Sequence, residues 1–474
     1  MKRIAIIGGG ISGLAAAFAL EKSPRDGTPL EYALYESSPR LGGVLVTEHV
    51  DDCLVEAGPD SFLTEKPWAT DLCRELGLED QLIGSNDPDR KTYILVKGEL
   101  VEIPDGLMFM VPTKILPTVL SPLFSARTKI RMAEEWFHPP RKADGDESVA
   151  SMVERHYGAE MVDRLADPLL SGVYGGEASR LSVRAVLPRF AEMEAKYGSL
   201  GRAMLAARHR MPPSANGPRP LFTSLKDGMQ QLVDALVSRL TPSALQTNAP
   251  VQSVQLQNGG WLVSAGYASD QFDAIILATP AQIAAGMIQT ASPQLAFELC
   301  RIDYTSSITI NLAYDRSVRS ALPPGFGFLV PRSEGRRMLA ATFVHNKFPH
   351  RAPLDRALLR CFIGGANSEE VLGFGDDQIL GIVRDELRQI IGLTADPLFV
   401  RVHRWKSAMA QYGVGHLERL QRIENLLVGL PGLALAGNGY RGIGVPDCIR
   451  SGRDAAAKAL AAVGLAEAAT STRA

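Results

Sequence analysis

Cysteine is scarce. Five residues, Cys53, Cys73, Cys300, Cys361 and Cys448, serve a chain of 474. None stands in a C-x-x-C pair and no Cys/His cluster has zinc spacing, which excludes a dithiol redox centre and a structural zinc site. An odd, sparse set fits a reducing cytoplasm. A long basic run is also missing. Lys and Arg are spread along the chain and the net charge is -2, so there is no bulk electrostatic case for nucleic acid. No run reaches the roughly 18 apolar residues of a membrane span. The nearest, "GLMFMVPTKILPTVLSPLF" (106–124), holds three prolines and a lysine. It reads as a docked loop-helix segment that lines an apolar cavity or touches a bilayer surface or, on the plainer and favoured reading, as a proline-broken part of a helical subdomain. The N-terminus, "MKRIAIIGGG", reads as no signal peptide, because glycines break its apolar run at once. No fixed-period repeat stands out.

Glycine, by contrast, is placed with purpose. "RIAIIGGGISGLAAAFALEKS" opens with a buried-strand pattern, Ile4 to Ile7. Gly8, Gly10 and Gly13 follow in G-x-G-x-x-G spacing, with Gly9, Ile11 and Ser12 between them. The first glycine permits a tight turn, the second lets backbone approach a pyrophosphate, and the third lets helix and strand pack closely. The next strand, "EYALYESS", ends in Glu36 and Ser37. An acid about 20 residues past the glycines belongs on ribose hydroxyls. The continuation "ESSPRLGGVLVT" brings Arg40, Gly42, Gly43 and Val44. Arg40 offers charge near the phosphates, and the glycine pair lets the chain bend back under a flavin. "VEAGPDSF" adds a second turn at Gly58, Pro59, Asp60 and Ser61. A nicotinamide dehydrogenase does not need these additions; FAD, which is longer, does.

Near the other end stands "LALAGNGYRGIGVPDCIRSG", a strand, a glycine turn and a helix. FAD has two polar ends. The pyrophosphate takes the first turn, and the pyrimidine edge of the flavin takes the second, at Asn438, Ile443, Gly444 and Val445. A helix N-terminus there favours the charge that reduction places on the ring.

Between the turns, "YILVKGELVEIP" predicts a hairpin about Lys97-Gly98 and "APVQSVQLQNGGWLVSAG" a hairpin about Asn258-Gly259-Gly260. Residues 105–210 read as helical, broken at Pro168 and at Gly172, Gly175 and Gly176. "PPSANGPRP" (212–220) reads as a boundary. "SSITINLAY", "RMLAATFV" and "LLRCFIGG" are strand-like. The expected fold is α/β: a discontinuous FAD-binding Rossmann-like domain of the two-dinucleotide-binding type (1–90, 212–280, 396–474), a mixed-sheet substrate domain (91–104, 281–395) and a helical domain (105–211).

Taken together, "IIGGGISGLAAAFALE", "ESSPRLGGVLVT", "EAGPDSFL", "PLLSGVYGG", "ILATPA" and "AGNGYRGIGVPDCIRSG" resemble the porphyrinogen oxidases of haem synthesis, within the flavin amine oxidase superfamily. The resemblance runs nearly end to end. It implies an FAD enzyme that takes six electrons from a tetrapyrrole in three two-electron steps, with dioxygen reoxidising the flavin. Hydride passes to the flavin, so no catalytic His or Glu dyad is expected and none is evident. By the same match, Val251 contacts the adenine and Trp405 lies near the flavin. Gly175 and Gly176 pack against the macrocycle or, on the plainer reading, cap a helix. Plant-type members carry an arginine where Thr92 stands here, so Arg90 or Lys91 substitutes. Lys66 matches a lysine of Gram-positive-type coproporphyrinogen oxidases, which favours coproporphyrinogen III, with four propionates, over protoporphyrinogen IX, with two. A solvated surface lysine is the competing reading. Peripheral contact with the inner face of the membrane and transient contact with a chelatase of the pathway are further expectations. Two rivals stay open: an amine oxidase or carotenoid desaturase of the same superfamily, and a non-enzymatic escort protein of the same fold.

Overall fold

The computed structural model describes residues 1–23, 29–141, 145–210, 219–365 and 369–465. The expected boundary at 212–220 falls almost wholly outside them. Lys2–Ile7 lies at the centre of five parallel strands, ordered Leu245–Gln246, Leu30–Tyr35, Lys2–Ile7, Ala274–Leu277 and Leu433–Leu435. Its side chains alternate between two cores. Ile4 and Ile6 meet Leu14, Leu20 and Ile449 on one face. Ala5 and Ile7 meet Trp261, Ala284 and Ile288 on the other. A sheet covered on both faces needs an unbroken apolar strand, which is why this one reads IAII.

The first helix, Ile11–Lys22, and the last, Val445–Ala462, cover the same face. They touch at backbone distance, since a Cβ on Gly452 would lie 2.1 Å from the Ser12 carbonyl oxygen. Each helix begins at one of the two glycine turns. Their contact therefore brings together two turns from opposite ends of the chain.

A seven-stranded mixed sheet forms the second unit, ordered Phe399–Ala410, Tyr304–Asp315, Arg356–Gly364, Met338–Phe343, Gly327–Leu329, Thr92–Val96 and Glu99–Glu102. Helix Asp376–Ile391 packs on it through Ile379, Val383 and Leu387. Both predicted hairpins form. Lys97 and Gly98, and Asn258 and Gly259, take the positive φ that two-residue turns of this twist require.

Three expectations need correction. Phe399–Ala410, expected in the FAD domain, is the edge strand of the large sheet, because it pairs antiparallel with Tyr304–Ala313 along its whole length, across a bulge between Thr305 and Ser307. The helices Ala281–Ile288 and Pro293–Cys300, expected in the substrate domain, cover the second face of the parallel sheet with Ala281, Ala284 and Ile288. The helical region does not break at Pro168. Helix Val149–Tyr157 ends at Gly158, and a π-turn, Val162–Ala166, leads into helix Asp167–Tyr174 with Pro168 in its first turn, where a missing N–H costs little.

Replacing Gly452 with Val should separate the first and last helices and lower stability by about 1–3 kcal/mol, the usual cost of overpacking. Thermal unfolding of the purified variant checks this; an unchanged midpoint would show that the contact can be relieved by a simple shift.

Candidate active site

The first turn is built from close approaches. Gly8 has φ 110°, and a Cβ there would lie 2.7 Å from the Ala278 carbonyl oxygen. A Cβ on Gly13 would sit 1.9 Å from the Gly8 oxygen. Gly10 is different: nothing lies within 4 Å of its missing Cβ. Gly10 is also the N-cap of the first helix, with no side chain capping the free N–H groups. Gly42 donates to the Gly9 oxygen at 2.8 Å, and Gly43 comes within 3.1 Å of the Gly10 Cα, measured from its missing Cβ. The segment 42–46 thus lies on the turn. The 57–61 loop lies on that segment in turn, since a Cβ on Gly58 would meet the Val44 oxygen at 1.8 Å.

Glu36 is partly used within the protein. Its carboxylate accepts from Gly9 N at 2.7 Å, from Ser38 N at 2.8 Å and from the Ser37 hydroxyl at 3.3 Å. Ala249 N donates to the Glu36 carbonyl at 2.9 Å, and Val251 opens the next strand just beyond. This places Val251 near Glu36, at the end of strand Leu30–Tyr35. Arg40 does not stand free for phosphate: it donates to the carbonyls of Leu41, Gly43 and Leu45 and so curls its own loop.

The second turn ends at Gly444, the N-cap of the last helix, again without a side-chain cap. Ile443 precedes it and Val445 begins the helix. Tyr412, which the sequence did not single out, is the turn's strut. Its hydroxyl donates to the Asn438 oxygen at 2.6 Å and accepts from Gly442 N at 2.8 Å, and its ring stacks on His416 at 4.2 Å. The Asn438 amide reaches Ala408 O at 2.9 Å and ties the turn to the large sheet. The first turn of this helix also holds Asp447, which is buried and pairs with Lys66 at 2.5 Å. Its negative charge sits favourably at the positive end of the helix dipole and offsets part of that positive potential. Burial pushes the Cys448 thiol up to about 12, so it stays protonated and is no nucleophile.

Thr279 lies between the two turns. Its methyl is 3.2 Å from the missing Cβ of Gly8, and its carbonyl 3.8 Å from that of Gly437. Its hydroxyl is buried without a hydrogen-bond partner. Two uncapped helix ends, an orphaned hydroxyl and the open space at Gly10 fit a long cofactor with a polar group at each end.

Other expected contacts are used differently. The half-buried Trp405 indole donates to Ala57 O at 2.8 Å, so it holds the 57–61 loop from behind. Asp60 faces Lys347 at 3.0 Å, with Ser61 alongside. Burial alone would raise the Asp60 carboxyl, but Lys347, Arg360 and Arg351 hold it well below the usual carboxylate range. Gly175 ends helix Asp167–Tyr174 with φ 62°, and missing Cβ atoms at Gly175 and Gly176 are explained by Met409, Thr305 and Gln411. The plainer reading as a helix cap fits Gly175. Arg90 and Lys91 end in exposed ion pairs with Asp87 and Glu102. Among the described residues no cluster could hold a metal ion.

A parallel sheet with a glycine turn at the head of its first and of its last helix, joined to a large mixed sheet, is the architecture of an FAD-binding oxidoreductase. The comparison with known proteins is specific: residues 11–460 match the flavin containing amine oxidoreductase family, and the chain belongs to it. It is 34% identical to the coproporphyrinogen III oxidase of Bacillus subtilis (strain 168), over 97% of this chain and 98% of that one. It is 29% identical to the chloroplastic protoporphyrinogen oxidase 1 of Arabidopsis thaliana, over 95% of this chain and 86% of that one. A crystal structure from Exiguobacterium sp. 255-15, designated a protoporphyrinogen oxidase, superposes with TM-score 0.86 at 30% identity, covering 96% of this chain and 98% of that one. A putrescine oxidase structure shares the fold, with TM-score 0.72 at 19% identity over 97% of this chain and 99% of that one.

Gly10→Val offers a clean separation of folding from cofactor binding. A Cβ there meets no protein atom within 4 Å, so the branched side chain has room in the apoprotein and takes space from the cofactor; the variant should unfold at the temperature of the apoprotein and carry no flavin absorbance. Full flavin content would remove Gly10 from the site.

Proposed function

We propose that the protein oxidises a porphyrinogen to a porphyrin, with dioxygen as final acceptor and coproporphyrinogen III as substrate. The observation that carries this is the end-to-end similarity to coproporphyrinogen III oxidases, in a chain whose two-ended cradle is complete. The plant relative supports protoporphyrinogen IX as the alternative. FAD supplies the two-electron acceptor. Six electrons leave the substrate in three steps, and three dioxygen become three hydrogen peroxide.

The chain's own part is to bind, orient and exclude water. No side-chain acid or base is assigned to the reaction. The large sheet and the helical region are left to hold the tetrapyrrole once the parallel sheet is given to FAD. Lys66 is the cation we assign to a propionate. Its side chain is 38% exposed although its partner Asp447 is 4% exposed, so it is not enclosed with that partner and a second carboxylate can approach it. Lys66→Met should raise KM for coproporphyrinogen III about tenfold, the equivalent of 1.4 kcal/mol. Porphyrin fluorescence with each porphyrinogen in air reads the outcome. Faster turnover of protoporphyrinogen IX, or an unchanged KM, would overturn the assignment.

We place the enzyme in the cytoplasm, docked on the inner face of the membrane through helix Ile115–Leu120. No described helix is long and apolar enough to cross a membrane. This short one exposes Ile115 at 67%, Leu116 at 68% and Leu120 at 72%. Residues 106–133 carry Lys114, Arg127, Lys129 and Arg131 and no acid, a composition suited to an anionic lipid surface. The wild-type protein should co-sediment with phosphatidylglycerol vesicles and a Leu116→Glu, Leu120→Glu variant should not. Equal sedimentation of both, or of neither, would reject the bilayer; capture of the pathway's chelatase by the same face would assign it to that partner.

A further inference from the structure

Five ionised side chains are buried where the 57–61 loop meets the large sheet. Arg351 pairs with Glu56 at 2.9 Å, and both are almost wholly buried. Lys347 pairs with Asp60 at 3.0 Å, with 11% and 15% of their side chains exposed. Arg360 projects from the strand Arg356–Gly364, 6% exposed, 3.8 Å from Asp60. Its guanidinium also donates to the Gly58 carbonyl. Among the described residues the carboxylates facing these three cations are Glu56 and Asp60. Three positive charges against two negative leave one positive charge without a partner. The Nε atoms of Arg351 and Arg360 are buried and make no hydrogen bond.

A joint between two sheets needs no such surplus. One ion pair would hold it, and a buried charge without a counter-ion is destabilising. The surplus is explained if an anion forms nearby during the reaction. The position suits one. Arg351, Arg360 and Trp405 hold the carbonyls of Asp60, Gly58 and Ala57 from the large-sheet side. The loop they hold lies, through Val44, against the segment packed on Gly10. The end of FAD that accepts electrons has to lie where the nucleotide unit meets the substrate sheet, because hydride passes between them. A hydride carries two electrons and one proton, so accepting it leaves the ring one unit more negative.

We propose that the Arg360 charge, left over from the Glu56, Asp60, Lys347 and Arg351 set, sets the reduction potential of the bound flavin by stabilising its reduced form. Arg360 is thus a positioning residue: it holds the loop and places the surplus charge, and it touches no substrate. The proposal rests on FAD binding, not on which porphyrinogen is oxidised.

The test is the midpoint potential of the flavin in the purified holoenzyme, titrated spectrally against reference dyes without porphyrinogen. Arg360→Gln should shift the reduced-to-oxidised ratio at least tenfold toward oxidised, a fall of about 30 mV for a two-electron couple. Lys347→Gln should shift it the same way. Asp60→Asn should shift it the opposite way, and Arg360→Lys should restore it to near the wild-type value. The opposed signs matter, because a purely structural joint would not move the potential up and down with charge. An unchanged potential in both Gln variants, or a fall in Asp60→Asn, overturns the proposal. So does loss of flavin from all the variants, which would make the cluster a structural joint. Weaker FAD binding at an unchanged potential also overturns it, by assigning the surplus charge to the diphosphate instead.

Discussion

The contact between the first and last helices is the constraint on which the rest depends. Gly452 lets the last helix approach the Ser12 backbone, and no residue with a Cβ could do so without a shift. Once the helices are in contact, each brings an uncapped N-terminus. The chain thus prepares two regions of free N–H groups for one cofactor. Around them the backbone layers inward, Gly43 on Gly10 and Gly58 on Val44. The close approaches are made by glycine because the distances leave no room for anything else.

Charge is arranged with equal care. The last helix would favour a negative ring, yet Asp447 sits in its first turn and works against that. Lys66 and Arg450 offset Asp447, at 2.5 and 3.6 Å. Elsewhere, Arg360 of the large sheet, with Lys347 and Arg351 from the helical segments that precede its strand, faces two acids, Glu56 and Asp60. The balance around the cofactor is therefore made from residues of both units. It would change if they separated even slightly.

Much of this was legible in the sequence, for a physical reason. Contacts with a cofactor made by backbone need glycines a few residues apart, and such spacing is visible in one stretch of chain. The hairpins at Lys97-Gly98 and Asn258-Gly259 were legible for the same reason. Long-range pairing was not. Asp60 and Lys347 are 287 residues apart, and neither local context marks the other. One signal was available: Arg360 is a lone cation in the apolar strand "ALLRCFIG", and a buried charge implies a partner. The edge strand Phe399–Ala410 was misplaced because half-buried side chains along it give no clear alternation. Pro168 suggested a break, since a π-turn that accommodates it leaves no mark in composition.

The parallel sheet also sets the order in which the protein can come into being. Its central strand, Lys2–Ile7, is the first made, but its neighbour Ala274–Leu277 and the closing strand Leu433–Leu435 emerge far later. At roughly 5–20 residues per second, the apolar face of the first helix waits on the order of tens of seconds for the last helix to cover it. The cofactor cradle is therefore among the last parts to form. A ribosome that stalls anywhere before Gly444 leaves a chain with one glycine turn, half a binding site and an uncovered face that other chains can reach.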